Sequence, residues 1–473
     1  MKTNILIICS LLLLLASCGD FLEYQDKDKV IPNKIEHYEE LIYGELLLKD
    51  AGGALVNLDL MTDDVESYVK DEMSTWDTDK REDYFGYYSW AKDPQYDLRG
   101  NEKPDKAWEH FYHKVLMCNI IEHDVNALED DLTGMKERLL GEVRFIRALA
   151  YFYLVNMYGA PYESASQAQM AMGVPINREV GVYDKVYTRA TLQEVYTLIE
   201  EDLLAAKKNF ENGEDKKTIF RPNLHATNIL LSRVYLYEKR WSDAILAATD
   251  AINHSGAAIE PIDKLEACEH LYYRKNAGIV FSWGDGDNGP VYADNSYAGR
   301  YIVARELQQG YVENDVRLTG FFNSFQTTLY SKKTNGDEIY RWAFRIEEAW
   351  LNRAEAYIEL GQEWQKGVDD VNALRSNRVK DFTNETFASQ ADALAYCRQE
   401  RRLELCFEDL RWFDIRRWGL EVVHRYESFP EKQNVRQFRL EKNSPNYILP
   451  IPLDEQEINQ YIERPARIDC EVK

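Results

Sequence analysis

Residues 231–237, LSRVYLY, and residues 351–357, LNRAEAY, are two stretches of the sequence that match each other in residue type. Both interleave small residues with Leu or Tyr, and each is followed by a short break and a second segment of helical periodicity. Helix hairpins of this kind stack because each buries a face that it cannot bury alone. The pattern predicts tetratricopeptide-like helix pairs, with residues 142–159 as a looser third copy.

Helical periodicity extends over most of the remaining chain, and strand-like runs such as Ile279–Trp283 are scarce. Thr191 with Glu194 forms a capping box at the start of one helix. Arg398–Gly419 is interpreted as one core helix with charged flanks. The sequence predicts an all-α-dominated fold with little β structure, whose scaffold is centred on residues 105–255 and 340–420. The predicted helices are Trp108–Val125, Gly141–Tyr158, Thr191–Phe210, Leu224–Glu238, Trp241–Asn253, Glu347–Leu360 and Gly367–Arg378.

The N-terminus has the pattern of an export signal. Lys2 is followed by an almost wholly apolar run, Ile5–Leu15, and then by Ala16, Ser17 and Cys18. The run is too short to span a bilayer, which takes about 20 residues, and small residues before a cut are typical of a signal peptide. A cysteine after Ala-Ser is what a bacterial lipoprotein peptidase requires. We expect residues 1–17 to be removed and Cys18 to carry a lipid anchor; the alternative is an ordinary secretory signal.

Composition limits the partners of the 456 residues that would remain. The net charge of −24 becomes −25 without Lys2, which argues against nucleic acid or an anionic lipid surface, since both need a basic face. Six cysteines remain, without CxxC or metal-ligand spacing, and we expect isolated thiols. The length allows one large domain or two intimate ones.

Two long segments without periodicity, Asp63–Pro104 and Trp283–Tyr301, are rich in aromatic residues. Long irregular loops are usually functional or disordered, and disordered segments are poor in aromatics. An aromatic ring suits the C–H face of a sugar, and short polar side chains suit its hydroxyl rim. We therefore predict that the two segments adjoin in the fold and bind a ligand. The candidate residues are Trp76, Tyr84, Tyr88, Trp90, Trp283, Tyr292, Tyr297, Asp64, Arg81, Asp285, Asn288 and Asn295.

No catalytic constellation stands out. The pairs Asp63-Asp64 and Glu347-Glu348 have no spacing that places two carboxylates across a bond. His110 and His113 lack a third ligand or an HExxH pattern, and no GxSxG, P-loop or dinucleotide motif occurs. We expect a protein that is not an enzyme, with no catalytic residues, metal or cofactor.

Six blocks in order resemble the SusD/RagB family, the surface lipoproteins of Bacteroidetes nutrient uptake. The resemblance covers nearly the whole chain from Cys18 onward, including Arg144 and Arg147, which we expect to tie helices together through carboxylates or helix ends. The blocks are Cys18–Glu23; Trp108–Tyr112 with Cys118-Asn119; Arg144–Ala148 with Tyr158–Pro161 and Gly173–Pro175; Glu348–Glu355 with Val371–Arg375; Glu400–Leu405 through Arg411–Gly419; and Leu449–Pro452.

The resemblance implies a single SusD-like domain over residues 18–473 that binds oligosaccharide or polysaccharide at the cell surface. It also implies anchoring in the outer membrane and delivery of the ligand to a SusC-like TonB-dependent β-barrel transporter. Two alternatives stay open: a peptide-binding RagB-like uptake lipoprotein, and a tetratricopeptide-like scaffold that binds only proteins.

Overall fold

The computed structural model describes most of the chain beyond residue 31. The described ranges are 32–48, 52–69, 75–103, 105–129, 133–181, 183, 185–284, 301–325, 328–333, 341–428 and 434–472. Cys18 and the predicted signal peptide lie outside them. Within the described ranges, none of the helices has the length and apolar character needed to cross a bilayer.

Helices make up most of the described structure, as the sequence predicts. They begin with α1 (Ile35–Leu41), which continues into a π-helical segment (Ile42–Leu48). The others are α2 (Gly52–Leu60), α3 (Thr75–Asp83), α4 (Phe85–Tyr88), α5 (Lys106–Ala127), α6 (Met135–Tyr158), α7 (Ala165–Ala168), α8 (Leu192–Asn212), α9 (Leu224–Tyr237), α10 (Trp241–His254), α11 (Ile262–Ala267), α12 (Arg305–Gln309), α13 (Arg317–Gly320), α14 (Ile346–Leu360), α15 (Trp364–Arg375), α16 (Gln390–Leu405), α17 (Arg411–Trp418) and α18 (Leu453–Ile458).

The described strands form four antiparallel pairs, each of two strands. The pairs are β1 (Val65–Ser67) with β3 (Tyr301–Val303), β2 (Ile279–Trp283) with β6 (Trp342–Arg345), β4 (Phe322–Phe325) with β5 (Thr328–Ser331), and β7 (Val422–Glu427) with β8 (Val435–Leu440). Every pair but β4–β5 and β7–β8 joins segments that are distant in sequence.

The two matching stretches form the first helices of the hairpins α9/α10 and α14/α15, which pack together through α9, α10 and α14. Equivalent positions of the two stretches meet, because the Asn352 side-chain amide donates to Ser232 Oγ at 2.9 Å. Within the second hairpin, a Cβ on Gly367 would lie 2.4 Å from the Ala354 carbonyl oxygen, so only glycine allows this approach. The predicted helix pairs are confirmed.

Helix α6 is the centre of the scaffold, with almost every residue buried between α5 and α8. Arg147 donates to both carboxylate oxygens of Asp202 on α8, at 2.6 and 2.7 Å, and to Glu122 on α5. Arg144 donates to the same Glu122 at 2.8 Å. The prediction that these two arginines tie helices through carboxylates is confirmed. The capping box of Thr191 and Glu194 at the start of α8 is also present.

The prediction of one helix over Arg398–Gly419 is wrong. Helix α16 ends at Leu405 and α17 begins at Arg411, and between them Phe407 and Asp409 adopt left-handed φ values of 59° and 60°. The turn carries Asp409 to the indole N–H of Trp342, which donates to its carboxylate. Tertiary partners of buried polar groups thus override the helical pattern, since an unpaired buried carboxylate is expensive.

Four charged residues of α16, Glu400, Arg401, Arg402 and Glu404, are interior rather than flanking. The Glu404 carboxylate is fully buried and accepts from Arg345 at 2.9 Å, from Arg378 at 2.8 Å and from Arg317 at 3.2 Å. Burial opposes its ionisation, but the three guanidinium groups outweigh burial and hold the pKa of Glu404 well below its ordinary value. We call Glu404 and these three arginines the Glu404 network.

Candidate ligand-binding site

The two aromatic segments meet in the fold at the β1–β3 pair. Val65 lies opposite Val303 and Ser67 opposite Tyr301, so the start of the first segment is paired with the end of the second. The Tyr301 hydroxyl extends this contact, because it donates to the backbone carbonyl of Arg81 at 2.9 Å. The predicted adjacency is therefore present at the described end of the second segment, where Tyr301 contacts Ser67 and Arg81, both more than 200 positions earlier in the sequence.

Arg81 occupies the centre of this junction and is only 1% exposed. Its guanidinium Nη1 donates to Ser67 Oγ at 3.2 Å, and the guanidinium carbon lies 4.3 Å from the ring centre of Tyr426 on β7. Tyr88 packs against Tyr301, with 5.1 Å between ring centres. We call Arg81, Tyr84, Tyr88, Tyr301 and Tyr426 the Arg81 cluster.

The cluster combines satisfied and unsatisfied polar atoms. The Tyr88 hydroxyl accepts from the Ser67 N–H and donates to the Arg425 carbonyl oxygen, both at 2.9 Å. In contrast, Arg81 Nε and the Tyr426 hydroxyl are buried and have no hydrogen-bond partner among the described residues. Burial raises the pKa of Tyr426 to about 12, so its hydroxyl keeps its proton at neutral pH. Unsatisfied buried groups of this kind call for a specific explanation.

The accessible part of the junction is its rim. Tyr84 and Tyr68 are half-buried, as is Glu66 on β1. A partly exposed ring can stack on an apolar ligand face, while the rim hydroxyls of Tyr68 and Tyr84 and the carboxylate of Glu66 can exchange hydrogen bonds with ligand hydroxyls. The arrangement suits a polar ligand with a flat apolar face.

Trp90, predicted as a ligand-contacting ring, is 1% exposed and belongs to the core. Its indole N–H donates to the Met61 carbonyl oxygen at 3.0 Å, and its ring stacks on His424 at 4.2 Å between centres. The residue adopts a φ of 48°, which places the ring inward at the end of the α4 turn. Trp90 offers no ring face to a ligand in this structure.

Trp283 and Asp64 are also interior. The Trp283 ring lies in β2 against Trp342, with 5.2 Å between ring centres. Asp64 accepts from Arg402 Nε at 2.7 Å, an ion pair between the first segment and α16. Neither side chain is open to a ligand, and the Asp64–Arg402 pair fixes the start of the first segment on α16.

The other candidate residues are not placed. Trp76 lies in α3, but its side chain is outside what the structure describes. Asp285, Asn288, Tyr292, Asn295 and Tyr297 lie outside the described residues as well. Ligand contact by these six residues stays a prediction.

Tyr301 and Tyr426 were missed as candidates for different reasons. Tyr301 is the last residue of the second aromatic segment, so its position already pointed to it. Tyr426 follows an alternating pattern, buried at Val422, His424 and Tyr426, that is typical of a strand. Nothing in that pattern indicates that its ring reaches Arg81.

In the described part of the chain, histidine, cysteine and carboxylate side chains do not converge on a metal site. It contains no group of three or more His, Cys, Asp or Glu side chains placed to hold a metal ion. The five cysteines within it are free thiols. His113 lies 3.3 Å from a carboxylate oxygen of Glu45.

Two family models match the chain. The model described as "Starch-binding associating with outer membrane" matches residues 20–236, and the model described as "SusD family" matches residues 273–464. Among curated proteins, a SusD-like protein of Bacteroides ovatus is 27% identical over 194 residues, which are 37% of this chain and 31% of that protein. The SusD-like protein P25 of Formosa agariphila is 20% identical, over 96% of this chain and 97% of its own length.

Solved structures agree with the family models. A SusD superfamily protein from Bacteroides thetaiotaomicron superposes with a TM-score of 0.73 at 20% identity, covering 92% of this chain and 98% of that one. A protein from Bacteroides vulgatus described as sugar binding superposes with a TM-score of 0.70 at 26% identity, covering 91% and 97%. The chain belongs to the SusD/RagB family, whose members are described as binding proteins rather than enzymes.

Proposed function

We propose that this protein is a cell-surface lipoprotein that binds an oligosaccharide or polysaccharide at the Arg81 cluster and delivers it to a SusC-like TonB-dependent transporter. The observation that carries the ligand assignment is the junction of the two aromatic segments. There, half-buried tyrosines form the rim over Arg81 and Tyr426, whose Nε and hydroxyl lack hydrogen-bond partners among the described residues.

A glycan fits this junction better than an ion or an apolar molecule. The family model that matches the N-terminal half carries a starch-binding description. The contacts are supplied by the rim: the Tyr84 ring offers a stacking surface and the hydroxyls of Tyr84 and Tyr68 offer donors, whereas Arg81 and Tyr426 are each 1% exposed. Glu66 and Glu82, both half-buried, flank the cluster and can accept from sugar hydroxyls.

The ligand assignment is tested by calorimetric titration of the protein against a panel of soluble plant, algal and host glycans and a panel of peptides. We expect saturable binding to a glycan, and about a tenfold loss of affinity in Tyr84→Ala, equivalent to about 1.4 kcal/mol. Tyr183→Ala, an exposed tyrosine outside the cluster, is the matched control and should bind normally.

Two results would contradict this assignment. Binding to peptides with no glycan response would favour the RagB-like alternative. The absence of both, with a transporter still co-purifying, would favour a scaffold that binds only proteins.

Membrane anchoring is assigned to Cys18, which follows the export-signal pattern. Cys18→Ala should abolish fatty-acid labelling and release the protein from the membrane fraction, because one cysteine carries the whole anchor. A variant that still labels with fatty acid and sediments with outer membranes would contradict the anchor. Cys268→Ala, a half-buried thiol, controls for loss of a cysteine elsewhere.

Docking on the transporter is assigned to an exposed apolar surface formed by two segments, with Tyr183 and Val186 in one and Ile458 and Tyr461 in the other. Ile458 and Tyr461 are 83% and 73% exposed, and Tyr183 and Val186 are more than half exposed. The two segments touch, because the Asn459 side chain donates to the Tyr187 carbonyl oxygen at 2.6 Å. Clustered exposed apolar side chains are typical of a protein interface.

The docking assignment is tested by co-purifying the protein with a SusC-like barrel expressed beside it. Ile458→Ser should reduce recovery of the complex and leave glycan affinity unchanged. Leu246→Ser, which alters an equally exposed apolar residue on α10, should retain the complex. Equal recovery of the barrel with both variants would contradict docking at this surface.

A further inference from the structure

A cleft of about 580 Å³ lies between the first helix hairpin and α6, and it shares no lining residue with the Arg81 cluster. Its walls are the start of α9, the end of α10, the connection 214–223 between α8 and α9, and residues 277–280 leading into β2. The volume is in the range of small-molecule sites, about 300–1,000 Å³. All of its lining residues are described.

One wall of the cleft carries the imidazole of His225, one nitrogen of which makes no hydrogen bond to the described residues. Asn223 caps α9, since its side-chain oxygen accepts from the N–H groups of His225 and Ala226, both at 3.0 Å. Its amide donates to the Val280 carbonyl oxygen at 3.1 Å, which anchors the cap to the opposite wall. His225 Nδ1 is buried and has no hydrogen-bond partner among the described residues. Burial lowers the pKa of His225, so the ring is neutral at pH 7.

The charges of the cleft cancel. Arg138, Arg221 and Lys216 line the cleft, and they pair with three carboxylates, those of Glu39, Glu142 and Glu214. Lys217 and Asp215 add one charge of each sign, and the Lys217 backbone N–H donates to the Asp215 carboxylate at 3.0 Å. An anion would meet Asp215 and a cation would meet Lys217, so neither charge is favoured over a neutral ligand.

Part of the remaining surface is apolar, beside the polar side chains of Thr218, Asn223 and Ser255. The Phe210 ring packs on Gly141, where a Cβ would lie 2.9 Å from it, so the ring is fixed against the α6 backbone. Ile219, Ile279 and Ala257 continue the apolar surface. A fixed ring and aliphatic side chains beside an unused imidazole match the C–H face and the hydroxyl rim of a pyranose.

We propose that this cleft is a second binding site, separate from the Arg81 cluster, for a neutral mono- or disaccharide unit. The choice of ligand class rests on the proposed function, whereas the site itself stands on the cleft, its charge balance and the unused His225 nitrogen. A glycan held at two places would bind more tightly than either site alone would hold it.

The experiment follows the imidazole resonances of the full chain by NMR during titration with glucose, galactose, mannose, xylose and their common disaccharides. We expect at least one sugar to shift the His225 resonances saturably at millimolar concentration. Ala277→Trp, which places an indole at the exposed mouth of the cleft, should weaken that binding at least tenfold. Ala258→Trp is the matched control: Ala258 is exposed and donates its N–H to the Ala277 carbonyl oxygen, but it does not line the cleft.

The proposal of a second site is wrong if none of these sugars shifts the His225 resonances, or if Ala277→Trp and Ala258→Trp bind sugar with equal affinity. Glycan affinity of Tyr84→Ala and Ala277→Trp, measured side by side, separates this failure from failure of the proposed function. Loss confined to Tyr84→Ala supports the Arg81 cluster alone, and loss confined to Ala277→Trp supports the cleft alone.

Discussion

The Glu404 network and the Arg81 cluster both contain buried arginine, but the partners of the guanidinium group differ between them. In the network, Arg317, Arg345 and Arg378 converge on the carboxylate of Glu404. In the cluster, Arg81 faces tyrosine rings and one serine hydroxyl, and its Nε has no partner among the described residues. The network lies inside the helical scaffold, and the cluster lies where α3 and α4 meet β3 and β7.

The difference separates structural from functional use of the same side chain. A closed network leaves no hydrogen-bonding capacity for a ligand, and removing Glu404 leaves three buried guanidinium groups with one carboxylate fewer. An open cluster has little structural need for its unused atoms, so deleting one of them should cost little stability. Burial of an arginine therefore says less about its role than the completeness of its partners does.

The largest expected effect is on the network. Glu404→Gln removes the charge that three buried guanidinium groups share, and it should lower the free energy of unfolding by about 3–5 kcal/mol. Urea denaturation measures the loss, and the exposed Glu457→Gln should change stability by less than about 0.5 kcal/mol. Similar stabilities for the two variants would show that the network contributes no more than a surface charge.

The core position of Trp90 predicts the next effect. The sequence pattern predicts that Trp90→Ala weakens ligand binding without loss of stability, whereas the buried, stacked ring predicts the reverse. We expect a loss of about 3–4 kcal/mol of stability, as for other buried aromatic truncations, and normal glycan affinity in the fraction that stays folded. A stable Trp90→Ala variant with weakened glycan binding would instead indicate that Trp90 contacts the ligand.

Acid should destabilise the scaffold. Burial raises the pKa of Glu355, but Arg417 and the other neighbouring guanidinium groups outweigh burial and lower it to about 2. A carboxyl whose pKa is lower in the folded state stabilises the fold above its ordinary pKa near 4.5 and loses that contribution as the pH falls toward 2. Glu355→Gln should therefore be less stable than the parent at pH 6, with a smaller difference at pH 3. A difference that does not depend on pH would contradict this account.

The smallest expected effect compares two hydroxyl groups of the Arg81 cluster. Tyr88→Phe deletes a hydroxyl with two hydrogen bonds and should cost about 1–2 kcal/mol of stability. Tyr426→Phe deletes one without a partner among the described residues, and it should change stability by less than about 0.5 kcal/mol. Equal losses in urea denaturation would mean that the Tyr426 hydroxyl is satisfied within the protein.

The sequence by itself determined the helical scaffold and the family. Periodicities of three and four residues, the capping box at Thr191 and the matching stretches 231–237 and 351–357 are local signals. The seven helices predicted outside Arg398–Gly419 are present, six of them with both ends within three residues of the prediction. The six ordered blocks place the chain in its family for the same reason, because they are linear features of the chain. The sequence also predicted that the two aromatic segments adjoin, because both combine aromatic rings with short polar side chains.

Only the tertiary structure decided which aromatic and charged residues face the interior. Trp90 and Tyr84 lie six residues apart in a segment of similar composition. The Trp90 ring is stacked in the core, whereas the Tyr84 ring is half-buried. In the sequence, Glu400 and Glu404 have the spacing of a solvated helix face. In the structure they pair with Arg317, Arg345 and Arg378, which come from distant parts of the sequence. The physical reason is that burial and charge pairing depend on contacts between residues far apart in sequence, which no local pattern records.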